Sequence, residues 1–434
     1  MAVYHSSSTN NDRVGVLEIC LKDILVEIKP VESHRVERIN AIRQLEECLR
    51  GLLVFRGVVV SLKPFGSFVS NLYTKWGDLD VSVQIDNTPP NSISRNTKRY
   101  YLKHILHALR RTGLARNTQY IPNARVPLLK YISRHHNISF DVSINNHFGV
   151  MKSSILKWLS EIDDRFRDMV LVTKEWAKAQ NINDAKSGTL NSYSLCLLLS
   201  IPSPRIILLV WSQDCIYIVF LFRCQTCDPP ILPPLRVICE GSISNQEWSS
   251  FSERHVEDVC SANIQRFRSR RRINKSSLAQ LLVSFFDKLS GIGNSASEYS
   301  ISTFEGRLES ITSGLRSPLI IEDPFERSEN AARTVRALEL HKISNAFRDA
   351  HDKLSSSLVL SDRDSLIFLL TRPILASRLR DQQPVTNYNT RSQHSNFATI
   401  GVLERQFENT VRLDRMHSQA STSVASIRPS YRNF

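Results

Sequence analysis

Apolar residues change their spacing several times along this chain. From Val14 to Val54 they recur every three or four positions. "VLEICLKDILVEI" and, beyond Pro30, "RVERINAIRQLEECLRGLL" therefore predict two helices. Between 55 and 150 the spacing shortens to alternation. "VVVSLKPFG", "LDVSVQI" and "ISFDVSI" are β-branched runs in which apolar and polar positions take turns, which predicts strands. Between them "SRNTKRYYLKHILHALRRTGL" predicts a basic amphipathic helix ending at a glycine. From about 151 to 345 the helical spacing returns. "MKSSILKWLSEIDDRFRDMVLVTKEWAKAQNI" supplies one or two helices and "NKSSLAQLLVSFFDKLS" another, with Asn274 as its expected cap. The final stretch, with "DQQPVTNYNTRSQHSNFATI" and "SQASTSVASIRPSYRNF", is polar, rich in Ser and Arg, and aperiodic, so disorder is expected there.

Composition narrows the partners more than the fold. With 434 residues and 41% hydrophobic content, the chain can bury two ordinary cores. Its net charge of +14 favours a polyanion such as nucleic acid, or an anionic membrane surface. The eight scattered cysteines fit a reducing compartment better than a disulfide framework. Cys224 and Cys227 form the one tight pair, but a zinc site needs a second pair at matching spacing. "MAVYHSSSTNNDRVGV" lacks the apolar core of a secretory signal.

The sharpest chemical signal is "GSFVSNLYTKWGDLDVSV", residues 66–83. In a strand, positions two apart share a face, so Asp78 and Asp80 point one way while Leu79, Val81 and Val83 point into a core. "ISFDVSI" repeats the device with Asp141 opposite an apolar face. If these strands are neighbours, three carboxylates converge. Such a cluster repels itself unless a cation sits in it, and carboxylates with phosphate oxygens suit Mg²⁺. Two metals held in this way activate an attacking oxygen and steady a leaving pyrophosphate. At the turn, Gly66 and Ser67 would set backbone N–H groups and a hydroxyl against phosphates. A single Asp-x-Asp is usually a solvated edge; the preceding Gly-Ser turn and the third Asp favour a site.

"GSFVSNLYTKWGDLDVSV" followed by "FDVSINN" resembles the polymerase-β-like nucleotidyltransferases, specifically the noncanonical poly(A) polymerases and terminal uridylyltransferases, the plant small-RNA uridylyltransferases among them. The likeness covers most of residues 14–345. It implies an α+β, two-lobed enzyme: a catalytic lobe with a mixed β-sheet and a helical central, PAP-associated lobe. The expected parts are N-terminal helices at 1–54 joining the helical lobe, a catalytic domain at 55–150, the helical domain at 151–345, and a basic, largely disordered region at 346–434.

The resemblance also implies roles. Asp78, Asp80 and Asp141 would hold two Mg²⁺ or Mn²⁺ ions while an RNA 3′-hydroxyl attacks the α-phosphate of UTP. Lys174 and Lys178, one helical turn apart, would meet the triphosphate, as would Ser192, and Tyr193 would stack on the base. In "IIEDPFERSENAARTV", Asp323 would read the base edge. Some uridylyltransferases carry a His where this chain has Glu329, and relatives carry a ribose-contacting Asn where this stretch reads "HFGVMKSS". Base choice and sugar recognition are therefore open, and an ATP-using poly(A) polymerase is the nearest alternative. "RRTGLAR" and "RFRSRRRINK" are candidate RNA contacts; the second also fits a nuclear localisation signal. The implied partners are UTP and the single-stranded 3′ end of a small RNA, with RNA-silencing proteins alongside, in nucleus and cytoplasm and without stable membrane association.

One segment departs from that pattern. Residues 199–222, inside "LCLLLSIPSPRIILLVWSQDCIYIVFLFRCQTCDPPILPPL", interrupt the helix begun at Ser192. A membrane span there would bury Asp214, at a cost of about 2.5 kcal/mol or more. Translated intron fits the Phe, Ile and Val bias better. A chain impaired by this insert, acting only as an RNA-binding protein, is the alternative from another class.

Overall fold

The computed structural model describes residues 6–85, 93–199, 229–241, 253–311, 317–326 and 329–381. Nearly all of the expected insert, with Cys215, Cys224 and Cys227, lies outside them, as does the chain from 382 onward.

Two helices open the chain, α1 (Ser6–Ile28) and α2 (Glu32–Arg50). The sheet lobe follows with β1 (Val60–Phe65), the single turn α3 (Gly66–Val69), β2 (Leu79–Ile85), α4 (Arg95–Arg111), β3 (Ala115–Ile121), β4 (Leu128–Ser133) and β5 (Ser139–Ile144). The five strands form one mixed sheet in the order β1-β2-β5-β4-β3. Only β2 and β5 pair in parallel; the other neighbours are antiparallel. Parallel neighbours need a long crossover, and α4, β3 and β4 supply it.

Burial follows the pattern that made these elements. Leu79, Val81, Val83 and Ile85 are buried on β2, as are Phe140, Val142 and Ile144 on β5. On α4, Leu102, Ile105, Leu106 and Leu109 recur at one helical face and pack on the sheet. Each contributes about 1.5–3 kcal/mol by leaving water. Ser94 starts that helix by accepting from the Thr97 N–H at 3.1 Å.

The helical lobe gathers α5 (His147–Ile162), α6 (Asp164–Ala179), α7 (Ser192–Leu199), α8 (Leu235–Ile238), α9 (Glu253–Arg270), α10 (Leu278–Leu289) and α11 (Ile292–Ser295). A hairpin of β6 (Tyr299–Ser302) and β7 (Arg307–Ser310) follows, then α12 (Ala337–Ser355), α13 (Ser357–Leu360), α14 (Arg363–Leu370) and α15 (Pro373–Asp381). Trp176 lies at its centre, with ring centroids 4.6 Å from Phe286 and 4.8 Å from Phe347.

Three expectations change. The two N-terminal helices part company: Leu17, Leu21, Ile24 and Ile28 of α1 enter the helical core, whereas Ala41, Ile42, Leu45 and Leu49 of α2 enter the sheet core. The break at Pro30 lets each apolar stripe find its own partner. The chain also stays helical well beyond 345, as far as Asp381, because Phe347, Leu354, Leu366, Leu370 and Leu379 are buried in the helical core. Ser277, not Asn274, caps α10. Its hydroxyl accepts from the Gln280 N–H while the Gln280 side chain accepts from the Ser277 N–H. Among the described residues, no helix is long and apolar enough to cross a membrane.

Candidate active site

Strand register does most of the positioning. Asp80 on β2 stands opposite Asp141 on β5, Lys130 on β4 stands opposite Asp141, and Phe65 on β1 opposite Asp80. Residues in register share a face, so Asp80, Asp141 and Lys130 form one row across the sheet. Lys130 Nζ ion-pairs with Asp141 Oδ2, whereas Asp141 Oδ1 is buried without a partner. Burial first, then the charges of Asp141 and Asp78, push the Asp80 carboxyl up to about 7, against the opposing pull of Lys130 and Lys174. Burial also raises Asp141, though Lys130 draws it back.

Asp78 stands at the mouth of β2, exposed, rather than within the strand. Among the described residues, no three Asp, Glu, His or Cys side chains gather closely enough to cage a metal. What the register builds is the Asp80–Asp141 pair, with Asp78 acting on both through its charge. Hard carboxylate oxygens, one of them an orphaned buried Oδ1, fit a divalent cation such as Mg²⁺, which completes its shell with phosphate oxygens and water.

Gly66 is wedged against this pair. Its φ is +70°, and a Cβ there would come within 2.0 Å of Asp80 Oδ2. Any side chain would strain the backbone and displace the carboxylate. The Gly66 N–H donates to Ser153 Oγ of α5 at 2.6 Å, and Ser67 begins the turn beside it. The loop to Asp78 is tied down from α2. Buried Arg38 donates to the carbonyls of Lys75 at 3.1 Å and Gly77 at 3.0 Å, with its guanidinium over the Tyr73 ring. Lys174, also buried, donates to the Leu72 carbonyl of the same loop at 3.1 Å. Lys178, a turn further on, is exposed. Ser192 Oγ donates to Asn183 Oδ1 at 3.2 Å.

A second charged group faces the sheet lobe from the helical side. Asp323 is 2% exposed, and its oxygens accept from the Phe325 N–H at 3.1 Å, from Tyr193 at 3.4 Å and from Lys152. Burial and the Asp323 charge hold the Tyr193 phenol well above its usual range. Lys152 Nζ lies 5.4 Å from the Tyr193 ring centroid and also reaches Glu326 at 2.8 Å. From the β3–β4 turn, Arg125 meets Glu326 at 2.9 Å and Glu329 at 3.0 Å. The structure thus joins Tyr193, Asp323 and Glu329 in one cluster and Gly66, Asp80 and Asp141 in another. Lys152 and Ser153, adjacent on α5, link the two.

Sequence reasoning missed Lys130, Lys152, Ser153, Arg125 and Arg38. Lys152 and Ser153 sit inside "HFGVMKSS", already singled out as anomalous, and that was the available signal. Lys130 follows only once the β4–β5 register is known.

Residues 17–161 match the family model described as the central palm domain of mitochondrial-like poly(A) RNA polymerase. Protein HESO1 of Arabidopsis thaliana is 43% identical over 365 residues, covering 82% of this chain and 66% of that protein. The poly(A) RNA polymerase gld-2 homolog A of Drosophila melanogaster is 27% identical over 329 residues, 72% of this chain and 22% of that one. The chain belongs to the noncanonical poly(A) polymerase and terminal uridylyltransferase family. It spans about two thirds of the length of the Arabidopsis protein and less of the Drosophila one. The fold is likewise the family's. The Cid1 poly(U) polymerase with MgGTP bound superposes with a TM-score of 0.61 at 23% identity, covering 85% of this chain and 99% of Cid1. mtPAP in complex with UTP gives 0.63 at 21%, covering 85% and 75%.

Proposed function

We propose that this protein transfers uridylyl groups from UTP to the 3′-hydroxyl of RNA. The observation that carries the chemistry is the register of Asp80 against Asp141, with Gly66 pressed against Asp80. Asp80 and Asp141 would hold Mg²⁺, with Asp78 as the outer carboxylate. When bound, the cation supplies the positive charge that activates an attacking oxygen and steadies a departing pyrophosphate. The chain's own residues do the rest. Gly66 and Ser67 line the phosphate end, where the absent side chain at 66 leaves room for close approach. Lys174 sets a fixed positive charge behind the loop that carries Asp78. Tyr193 offers a ring face to the base, and Lys152 and Arg125 offer donors near it.

Uridine is preferred over adenine on two grounds. One is the shared fold with Cid1, a poly(U) polymerase with a mechanism for UTP selectivity. The other is chemical: uracil presents two carbonyl acceptors, which suit the Lys152 and Arg125 donors. Small RNA is the substrate class we assign, and Mn²⁺ is expected to replace Mg²⁺ in the assay.

The test is extension of a labelled single-stranded RNA with each of the four nucleotides in turn, in Mg²⁺ or Mn²⁺. A ladder with UTP that disappears in Asp78→Ala/Asp80→Ala supports the reading. A ladder with ATP alone overturns the base assignment. No ladder from the full chain, with one from a chain lacking 199–222, identifies the insert as the block.

A further inference from the structure

Between Asp86 and Asp141 the chain carries ten Lys and Arg residues and no Asp or Glu. That block builds α4, β3 and β4, so its charge collects on one side of the sheet lobe. On the outer face of α4, Tyr100, Lys103, His107, Arg110 and Arg111 recur at helical spacing, and all are exposed. From the end of α4 the chain turns through Gly113 into β3, an edge strand. There Arg116 pairs with Ile132, two residues along β4 from Lys130, and therefore shares the face that carries Asp141 and Asp80. Basic side chains thus lie on the face that carries the carboxylate pair, on the β3 edge strand and on the outer surface of α4.

The guanidiniums along this path are held by neutral oxygens. Arg110 donates to Thr118 Oγ1 at 2.9 Å, Arg116 to Asn137 Oδ1, and Arg95 to the carbonyls of Asn123 at 2.9 Å and Ala124 at 2.6 Å. Such bonds orient a guanidinium without cancelling its charge. Like charges crowded together work against the compact state, and a polyanion that meets them relieves that repulsion. Tyr100, 53% exposed, adds an aromatic face at the far end of the same stripe, the combination that single-stranded nucleic acid uses: cations along the backbone and a ring beneath a base.

We propose that this face is the track for the RNA chain 5′ of its reacting end. The backbone would pass from the carboxylate pair over Arg116 to Arg110 and Arg111, then along α4 toward Lys103 and Tyr100. The proposal deepens the RNA-directed reading and rests on it. It predicts that the protein binds a long RNA by phosphate contacts that a very short RNA cannot reach, with little dependence on sequence.

The experiment compares the full chain with Arg110→Ala/Arg111→Ala/Arg116→Ala and with the charge-preserving Lys triple. Binding of labelled 20-nucleotide and four-nucleotide RNAs is measured between 50 and 200 mM salt, without UTP. With the long RNA, the Ala triple should bind at least tenfold more weakly at the low-salt end. Its slope of log affinity against log salt should be flatter by about 2, since single strands lose about 0.7 per phosphate contact. The Lys triple should stay near wild type, and binding and extension of the four-nucleotide RNA should be unchanged in all three proteins. Lys103→Ala and Tyr100→Ala, the latter at a ring that touches only Tyr101 and His104 of its own helix among the described aromatic contacts, should together reproduce part of the loss. Equal long-RNA affinity and slope in wild type and Ala triple would overturn the track, as would a loss shared by the short RNA. A protein that binds along the track yet adds no uridine would overturn the proposed function and leave the track standing.

Discussion

The two lobes place their functional groups in opposite ways. In the sheet lobe, Asp80, Asp141 and Lys130 are set by strand register, so the backbone ladder fixes them to within the width of a strand pair. In the helical lobe, Tyr193, Asp323, Lys152 and Glu326 are brought together by packing, and Lys152 and Asp323 lie 171 residues apart in the chain. A ladder holds position even when one side chain changes. A packed charge cluster depends on every member, because removing one leaves its partner buried and uncompensated. The carboxylates proposed to react therefore sit on the stiffer frame, and the groups proposed to face the base sit on the more adjustable one.

Substituting within the row should show the difference most strongly. Asp141→Asn keeps the shape of the side chain and the register of β5, so the fold should survive with its melting temperature unchanged or raised, since a buried charge is removed. Activity should fall about 10³-fold, or about 4 kcal/mol at 1.36 kcal/mol per decade. Thermal melting beside single-turnover extension measures both. A variant that lost activity and melted early would show that Asp141 also holds the sheet together, and the contrast between the lobes would weaken.

Asp78 is the point where the sheet lobe departs from its own rule. It lies outside the ladder, and the loop before it is held by Arg38 from α2. Burial holds that guanidinium below its usual range, and among the described residues no carboxylate hydrogen-bonds to it; carbonyls of residues 34, 75 and 77 accept from it instead. Arg38→Met should fill the same space and lose the loop anchor. A stability loss of about 2 kcal/mol is expected from the carbonyls left without donors. The sharper readout is the Mg²⁺ concentration at half-maximal activity, which should rise several-fold while the maximal rate at saturating Mg²⁺ falls little. An unchanged Mg²⁺ dependence would mean that Arg38 only packs, and that Asp78 needs no help from α2.

How far the sequence revealed all this follows from the same division. The strands and the Asp80 and Asp141 positions were legible because alternation and a Gly-Ser turn are local patterns. Their pairing was only conditional, since no local pattern states which strands are neighbours or in what register. The helices from Ala337 to Asp381 were half legible. Ile343, Phe347, Ala350 and Leu354 keep helical spacing, but the polar chain that follows drew the expected boundary too early. Arg125 was invisible, and Lys152 showed only as part of a stretch that departs from the pattern of the relatives. An Arg in a turn and a Lys on a helix are ordinarily solvated, and only the fold brings Arg125 to a glutamate 201 residues away.

That long-range pair gives the smallest expected effect and the finest test of the comparison. Arg125 reaches from the β3–β4 turn of the sheet lobe to Glu326 and Glu329 of the helical lobe, and its side chain is 44% exposed. Screening by water leaves such a pair about 0.5 kcal/mol of stability or less, so Arg125→Ala should barely move the melting temperature. Its position argues for a larger effect on substrate. It bridges the lobes at the segment that also carries Asp323. Losing the bridge should raise the KM for UTP about three- to tenfold with little change in kcat, the mark of lost binding that does not change on the way to the transition state. Glu329→Gln should behave alike, and the double variant should be no worse than either single one if the two residues act as one contact. Additive losses would show instead that Arg125 and Glu329 each meet the nucleotide separately, and that the helical lobe reads the base without a clasp from the sheet.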